Sequence, residues 1–527
     1  MSAIITDQIR ILNSKSFVSS LKTGENKLYT FVGLPNQTEY QSNWDSNPPP
    51  PKDSFDDEND CWENMISLKR VNPDSDVRHV VRRTTWESGT TYDMYRHDIS
   101  RNNPSKPSQK LNLYQSNYYI LNSDYRVYIC LYNGASPENN FEGIPSITEP
   151  TFTDLDPKIT EDGYIWKYLY TLNVEDVIKF DSLNYIPIPS DWETSTNYES
   201  IRKNALESGQ IKVVVVRNFG ENLGDPNIYT NIPIIGDGSG AKVSMIVGND
   251  AKITSVVVTN GGSNYTYGTV DLSGISFPSE ASLPKFDVII PPKNGHAYDI
   301  HRELGAYNVL VYSRFENDQN NPDFITGNQI SRIGIVNNPL NYGSSIILDR
   351  DGVSATYALK LIGKNLVDDY KGLTIEPDSI VTQTVGTGIT AIGKVISYDN
   401  KTGVLKYWQD RSLYGFNLGG EYDSTGTRKP ENVSTYGNEK VQFTSNILAG
   451  GSLDISGFSL TLKIDSNYTG ITTVINNVNY NLGQRFTSGV STPEVKPNSG
   501  DIIYVDHRPG ITRSSNQKED VKVILQF

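Results

Sequence analysis

The stretch Gly236-Asp-Gly-Ser-Gly-Ala-Lys-Val-Ser-Met-Ile-Val-Gly-Asn-Asp-Ala-Lys-Ile-Thr-Ser-Val-Val-Val-Thr-Asn-Gly-Gly262 decides the fold class. Two short runs of β-branched residues, Lys242–Val247 and Lys252–Thr259, are separated by Gly248-Asn-Asp and bracketed by glycine pairs. Strands joined by tight turns read this way, because glycine and asparagine reach the turn conformations that β-branched residues avoid. Ile211–Val216 before this stretch and Tyr265–Leu272 after it extend the pattern into a meander. The same texture recurs along the chain, with 42 Gly and 27 Pro among runs of Val, Ile, Thr and Tyr.

Working outward, further strands are expected at Leu28-Tyr-Thr-Phe-Val-Gly33, within Ser116–Leu131, and at Tyr164–Leu172, Val309–Tyr312 and Ser331–Ile335. Tyr185-Ile-Pro-Ile-Pro189 reads as an edge, since each proline removes a ladder donor. Ala391–Tyr398 and Val404–Trp408, joined by Asp399-Asn-Lys-Thr-Gly403, form a hairpin, and Asp501–Val505 and Val521–Phe527 are strand-like. Helical spacing is scarce. It predicts one helix over Asn13–Leu21, capped by Asn13 or Ser14, and one over Asp60–Leu68, capped by Asp60. The expected class is mainly β with a few short helices (α+β), a multidomain β-sandwich or barrel-like core interrupted by β-rich insertions.

Charge and length narrow the function. The 527 residues exceed one ordinary domain, and 61 acidic against 47 basic side chains give a net charge of −14. Such a surface repels a phosphate backbone, so no nucleic-acid partner is expected. The longest aliphatic run, Val213–Val216, is far short of the ~20 residues of a membrane helix, so no membrane partner is expected either. Met1–Leu12 has no apolar stretch of secretory-signal length. Cys61 and Cys130 are too few for a disulfide framework or a cysteine-built zinc site.

No catalytic constellation stands out. The Gly236–Val243 segment lacks the second glycine and the hydroxyl of a phosphate loop, and a glycine-rich turn is the better reading. Asp53, Asp56, Asp57, Glu58 and Asp60 lack the order of a calcium loop and read as a solvated acidic loop at a helix start. The five histidines show no i, i+4 pairing, and there is no nucleophile elbow. No catalytic residue, cofactor or metal ligand is therefore expected. The basic run Arg78–Arg83 either docks an acidic partner or pairs with carboxylates inside a strand.

Several segments in order carry a resemblance. They are Ser16-Phe17 with Leu28–Gly33, then Trp44 through Pro51 to Asp60-Cys-Trp62, then Val77–Trp86 with Arg82-Arg83. Asp162-Gly-Tyr-Ile-Trp-Lys-Tyr-Leu169, Ile333-Gly-Ile-Val-Asn-Asn-Pro-Leu340 and His507-Arg-Pro-Gly-Ile511 complete the series. Together they resemble the baseplate wedge subunit of contractile-tailed, myovirus-type bacteriophages that is dimeric in its best-known form. The resemblance covers about 1–205 and returns near 320–340 and 500–527. It implies a wedge core in 1–205, continued in 301–341 and completed by strands in 498–527, with β-rich insertions in 206–300 and 342–497. It also implies a non-enzymatic virion protein made in the bacterial cytoplasm, a homodimer that contacts other wedge proteins and takes part in rearrangement on contraction. The contact residues to consider are Trp44, Pro48, Pro51, Trp62, Arg82, Arg83 and Trp166, with core packing the favoured reading for the tryptophans. The competing class is a receptor- or glycan-binding tail protein, with or without hydrolase activity.

Overall fold

The computed structural model describes all residues except 1–3, 36–43, 45–46, 208–209, 317–328, 363–373, 387–388, 410–440, 446–451, 458–461 and 515–516. The chain is mainly β, with 42% of residues in strands and 12% in helices. It forms two compact units: Met1–Val18 with Val77–Val311 and Val523–Phe527, and Ser19–Asp76 with Tyr312–Lys522.

In the first unit, the segment 116–131 holds two strands, Tyr119–Leu121 and Arg126–Tyr132. Asn122 turns the chain between them, its side-chain oxygen accepting from Asp124 N and Arg126 N. Ile165–Thr171 and Lys158–Ile159 complete a four-stranded antiparallel sheet, with Cys130 opposite Trp166. A second sheet runs in the order Lys518–Gln526, Asn308–Glu316, Val77–Arg82, Tyr185–Pro187. The proline-bearing strand is its edge, as expected. Between these sheets' side chains lies a core of unusual composition, with Tyr118, Tyr119, Tyr128, Tyr164, Tyr170, Trp166 and Trp192 all fully buried. Tyrosine survives burial here because its hydroxyl finds a backbone carbonyl: Tyr119 Oη donates to Arg82 O at 2.6 Å and Tyr170 Oη to Pro187 O at 3.0 Å. Tyrosine abundance, which also suits wet protein interfaces, is in large part a property of this core.

The β meander belongs to the same unit. Its sheet has the order Ile253–Asn260, Lys242–Val247, Asn227–Gly236, Gly268–Val270, and it shares a core with the Val214–Asn218 and Lys285–Val288 pair. The glycine-rich turn is a packing requirement. A Cβ on Gly238 would sit 2.4 Å from the Tyr265 ring, whose hydroxyl donates to Ile234 O at 2.8 Å.

The second unit is built on an antiparallel sheet in the order Gly352–Ser354, Met65–Arg70, Leu28–Gly33, Gln329–Asn337, Asp501–Thr512. Leu28–Gly33 is buried at all six positions, as a central strand should be. These pairings draw residues 19–76 into the company of 312–522. Beyond this sheet, six strands close into a barrel: Tyr357–Ile362, Val404–Trp408, Ile389–Asp399, Ile380–Gly386, Ser452–Ile455 and Leu462–Ile464, the last pairing back to the first. Leu359, Leu361, Val381, Val395, Leu405 and Leu453 fill it. The expected hairpin lies within it, its turn held by Thr402 Oγ1 donating to Asp399 Oδ2 at 2.6 Å and by Gly403 at φ 69°.

The helices depart from expectation. The first spans Asp7–Thr23, so Asn13 and Ser14 are interior rather than caps. Ser14 is buried, and its hydroxyl donates to Ala306 O at 2.8 Å, a tertiary bond that spacing alone does not reveal. The second spans Phe55–Asn64 and is capped by Ser54, whose side chain accepts from Asp57 N. Asp56, Asp57 and Glu58 therefore occupy its first turn, where carboxylates favour the helix dipole. Met65 and Leu68, taken above as helical, lie in the Met65–Arg70 strand because both sides of that strand are paired.

Candidate functional site

Within the second unit, residues far apart in sequence converge on one joint. Trp44 Nε1 donates to Arg508 O at 3.1 Å, and its ring lies 4.7 Å from the His507 imidazole. The guanidinium of Arg332 sits 5.0 Å over the Trp44 ring and donates from Nη2 to Asp60 Oδ2 at 2.6 Å. His507 Nδ1 is 2.9 Å from Pro49 O, which fixes the proton on Nδ1 because a carbonyl only accepts. Burial, with the Arg332 charge adding to it, holds His507 below the usual histidine range, so the ring is neutral at pH 7. An arginine inside the apolar strand Gln329–Asn337 is 1% exposed and is tolerated only because a carboxylate and an aromatic face receive it.

Beside this joint lies an open cleft of about 670 Å³, walled on one side by Pro51–Glu58 and on the other by Ile502–Val505. Its lips are apolar, Phe55 being 85% and Ile503 42% exposed. Asp53, Asp57 and Glu58 against the single cation Lys52 make the lining acidic. Cys61 also reaches the cleft, yet burial pushes its thiol up, away from the thiolate a nucleophile requires. The cleft thus combines exposed apolar side chains at its mouth with a net negative lining.

Of the residues singled out for partner contact, the structure brings Trp44, Pro48 and Pro51 to this region. Pro48 is partly exposed and Pro51 exposed, whereas Trp44 is 3% exposed. Trp62 packs with Tyr29, Phe31 and Met65, and Trp166 is stacked 5.3 Å from Tyr164 in the core of the first unit. All three tryptophan side chains are interior, as core packing requires. Arg82 Nη2 donates to Ser116 O at 2.7 Å, and Arg83 Nη1 to Asp181 Oδ1 at 2.6 Å. Arg78 is paired to the buried Asp176 at 2.8 Å, so Arg78 and Arg83 of the basic run are ion-paired within the unit, while Arg82 meets a neutral carbonyl.

Sequence reasoning missed Arg332 and Phe55. The signal for the first was a lone cation in an apolar strand; its partner Asp60 lies 272 residues away and cannot be inferred from spacing. Glu193, Asp299 and His301 place ligand atoms within 4.8 Å of one another, but the Lys15 ammonium already bridges the two carboxylates at 2.8 and 3.5 Å. Among the described residues no helix is long and apolar enough to cross a membrane. No protein-family model matches the chain, and no curated protein is similar to it in sequence.

Proposed function

We propose that this chain is a non-enzymatic structural subunit of a phage tail baseplate wedge, joining neighbouring wedge proteins during assembly and contraction. The observation that carries this reading is the joint at Trp44. Three of the segments on which the resemblance rests, the Trp44–Trp62 stretch, the Ile333–Leu340 segment and His507–Ile511, are separated by up to 464 residues yet pack as one piece. The acidic cleft beside them, with Phe55 and Ile503 at its mouth, supplies a surface for a second wedge protein that presents an apolar side chain beside lysine or arginine. Buried hydrogen-bonded tyrosines in the first unit and multiply paired sheets in each unit suit a load-bearing role, and the proposed virion location and homodimeric state follow from the resemblance.

The test is to determine the structure of intact tails from a virus encoding this chain. Density for the chain within the baseplate wedge is expected. Its assignment to a fibre, or its absence from purified tails, would overturn the reading. The solution mass gives a faster answer: a dimer or monomer accords with a wedge subunit, and a stable trimer favours a receptor-binding fibre.

A further inference from the structure

The first unit contains a second open cleft, of about 590 Å³, a size that suits a small ligand. Tyr95, Tyr114 and Tyr265 with Pro291 and Pro292 form much of its wall. Its polar groups are unbalanced. Arg302 and Lys293 are exposed on the lining, and neither side chain has an ion pair or hydrogen bond among the described residues. Among the described residues Glu303 is the only carboxylate on the lining, and it is satisfied inward: Oε1 lies 2.6 Å from His296 Nδ1, and Oε2 accepts from Ala297 N at 2.5 Å.

The remaining lining groups add donors. His97 Nδ1 accepts from Ile290 N at 3.2 Å, which leaves its proton on Nε2. Gln210 uses its amide oxygen to accept from Tyr265 N at 3.1 Å, leaving its NH₂ available. Two uncommitted cations beside amide and imidazole donors call for an anion that also carries further acceptor oxygens, such as those of hydroxyl or ether groups. The tyrosine and proline wall calls for a flat, partly apolar body larger than a lone phosphate or sulfate.

We infer that this cleft binds a carboxylated sugar residue, with Arg302 and Lys293 receiving the carboxylate and the partly exposed Tyr114 and Pro292 receiving the ring. An acidic peptide would satisfy the cations and offer carbonyl acceptors to the N–H donors, but its flexible backbone presents no preformed ring to the wall; the tetraglutamate arm of the test separates the two. The inference stands apart from the baseplate reading, since it concerns a different unit and different residues.

Titration calorimetry of the full chain with trigalacturonate tests it, with maltotriose, a tetraglutamate peptide and sodium sulfate as controls. Saturable binding of trigalacturonate is expected, at least tenfold tighter than for any control. Arg302→Gln and Lys293→Gln are each expected to weaken it at least tenfold while leaving the melting temperature unchanged. No saturable trigalacturonate binding would overturn the assignment. So would equal affinity for tetraglutamate or sulfate, or wild-type affinity in the Arg302→Gln variant.

Discussion

The ring of Phe527 lies 5.2 Å from the ring of Phe17, tilted by 44°, so the strand that ends the sequence packs on its first helix. The Phe527 N–H also donates to Tyr307 O at 3.1 Å, and Val523 in the same strand is 4% exposed. Deleting Val521–Phe527 would leave the buried strand residues Val309, Leu310 and Val311 with one paired side fewer. The truncated chain is expected to lose cooperative melting of the first unit and to become protease-sensitive there. Phe527→Ala is a milder perturbation, expected to cost about 1–2 kcal/mol in denaturant unfolding. A soluble truncated protein that melts like the parent would show that this strand is dispensable.

Asp162 organises the loop before the Ile165–Thr171 strand. Its Oδ2 accepts from Ile147 N at 2.8 Å, Thr148 N at 3.0 Å and Ser146 Oγ at 3.0 Å, while Oδ1 accepts from Thr160 Oγ1 at 2.5 Å. Partial burial opposes its ionisation, but these donors together outweigh that effect and hold the carboxyl below its usual range. A depressed folded-state pKa stabilises the fold above the ordinary carboxylate value, and that stability is lost as pH falls through the folded value. Asp162→Asn is therefore expected to cost about 2–3 kcal/mol at pH 7. The gap from wild type should shrink in acid, below about pH 4. Paired denaturation curves at pH 7 and pH 3 measure it; a constant gap would mean that the carboxylate charge plays no part.

How much of this was legible in the sequence depends on the range of the interaction involved. The Val404–Trp408 hairpin and the Tyr185–Pro187 edge rest on turn residues and missing proline donors, which act locally and can be read directly. Barrel closure between Tyr357–Ile362 and Leu462–Ile464 spans about a hundred residues, and no periodicity records it. Ser14 shows the same limit in miniature. Alone it resembles a cap, but its acceptor, Ala306 O, is 292 residues away. At the candidate site, Trp44, Pro48 and Pro51 were conspicuous by residue type. Their arrangement around Arg332 and His507 was not, because a cation's partner is set by tertiary folding. Phe55 was passed over because a single aromatic in an acidic stretch carries no periodic signal.

Arg332 provides a sharp test of the joint in the second unit. Its side chain is 1% exposed, bonded to Asp60 and stacked over Trp44. Arg332→Met leaves Asp60, which retains some contact with water, without its partner, and is expected to cost about 3 kcal/mol. Arg332→Lys keeps the charge but loses the planar fork that reaches Asp60 and covers the indole together, so less than half the loss should be recovered. Urea unfolding of the three proteins checks the ranking. Full recovery by lysine would show that only charge matters at this position.

The two cysteines fall one in each compact unit, Cys130 in the first and Cys61 in the second. Both side chains are buried, Cys61 at the inner wall of the cleft, and burial pushes both thiols above their ordinary range, so in the folded protein each lacks thiolate character. Alkylation by iodoacetamide at pH 8 then reports opening of the unit that holds the cysteine. Arg332→Met should accelerate labelling of Cys61, which also lies 3.6 Å from Arg332 Nη1, and leave Cys130 unchanged. Removing Val521–Phe527 should do the reverse. Peptide mass spectrometry after timed labelling separates the two sites. If both variants expose both cysteines at one common rate, the units do not open independently, and destabilising either joint unfolds the whole chain.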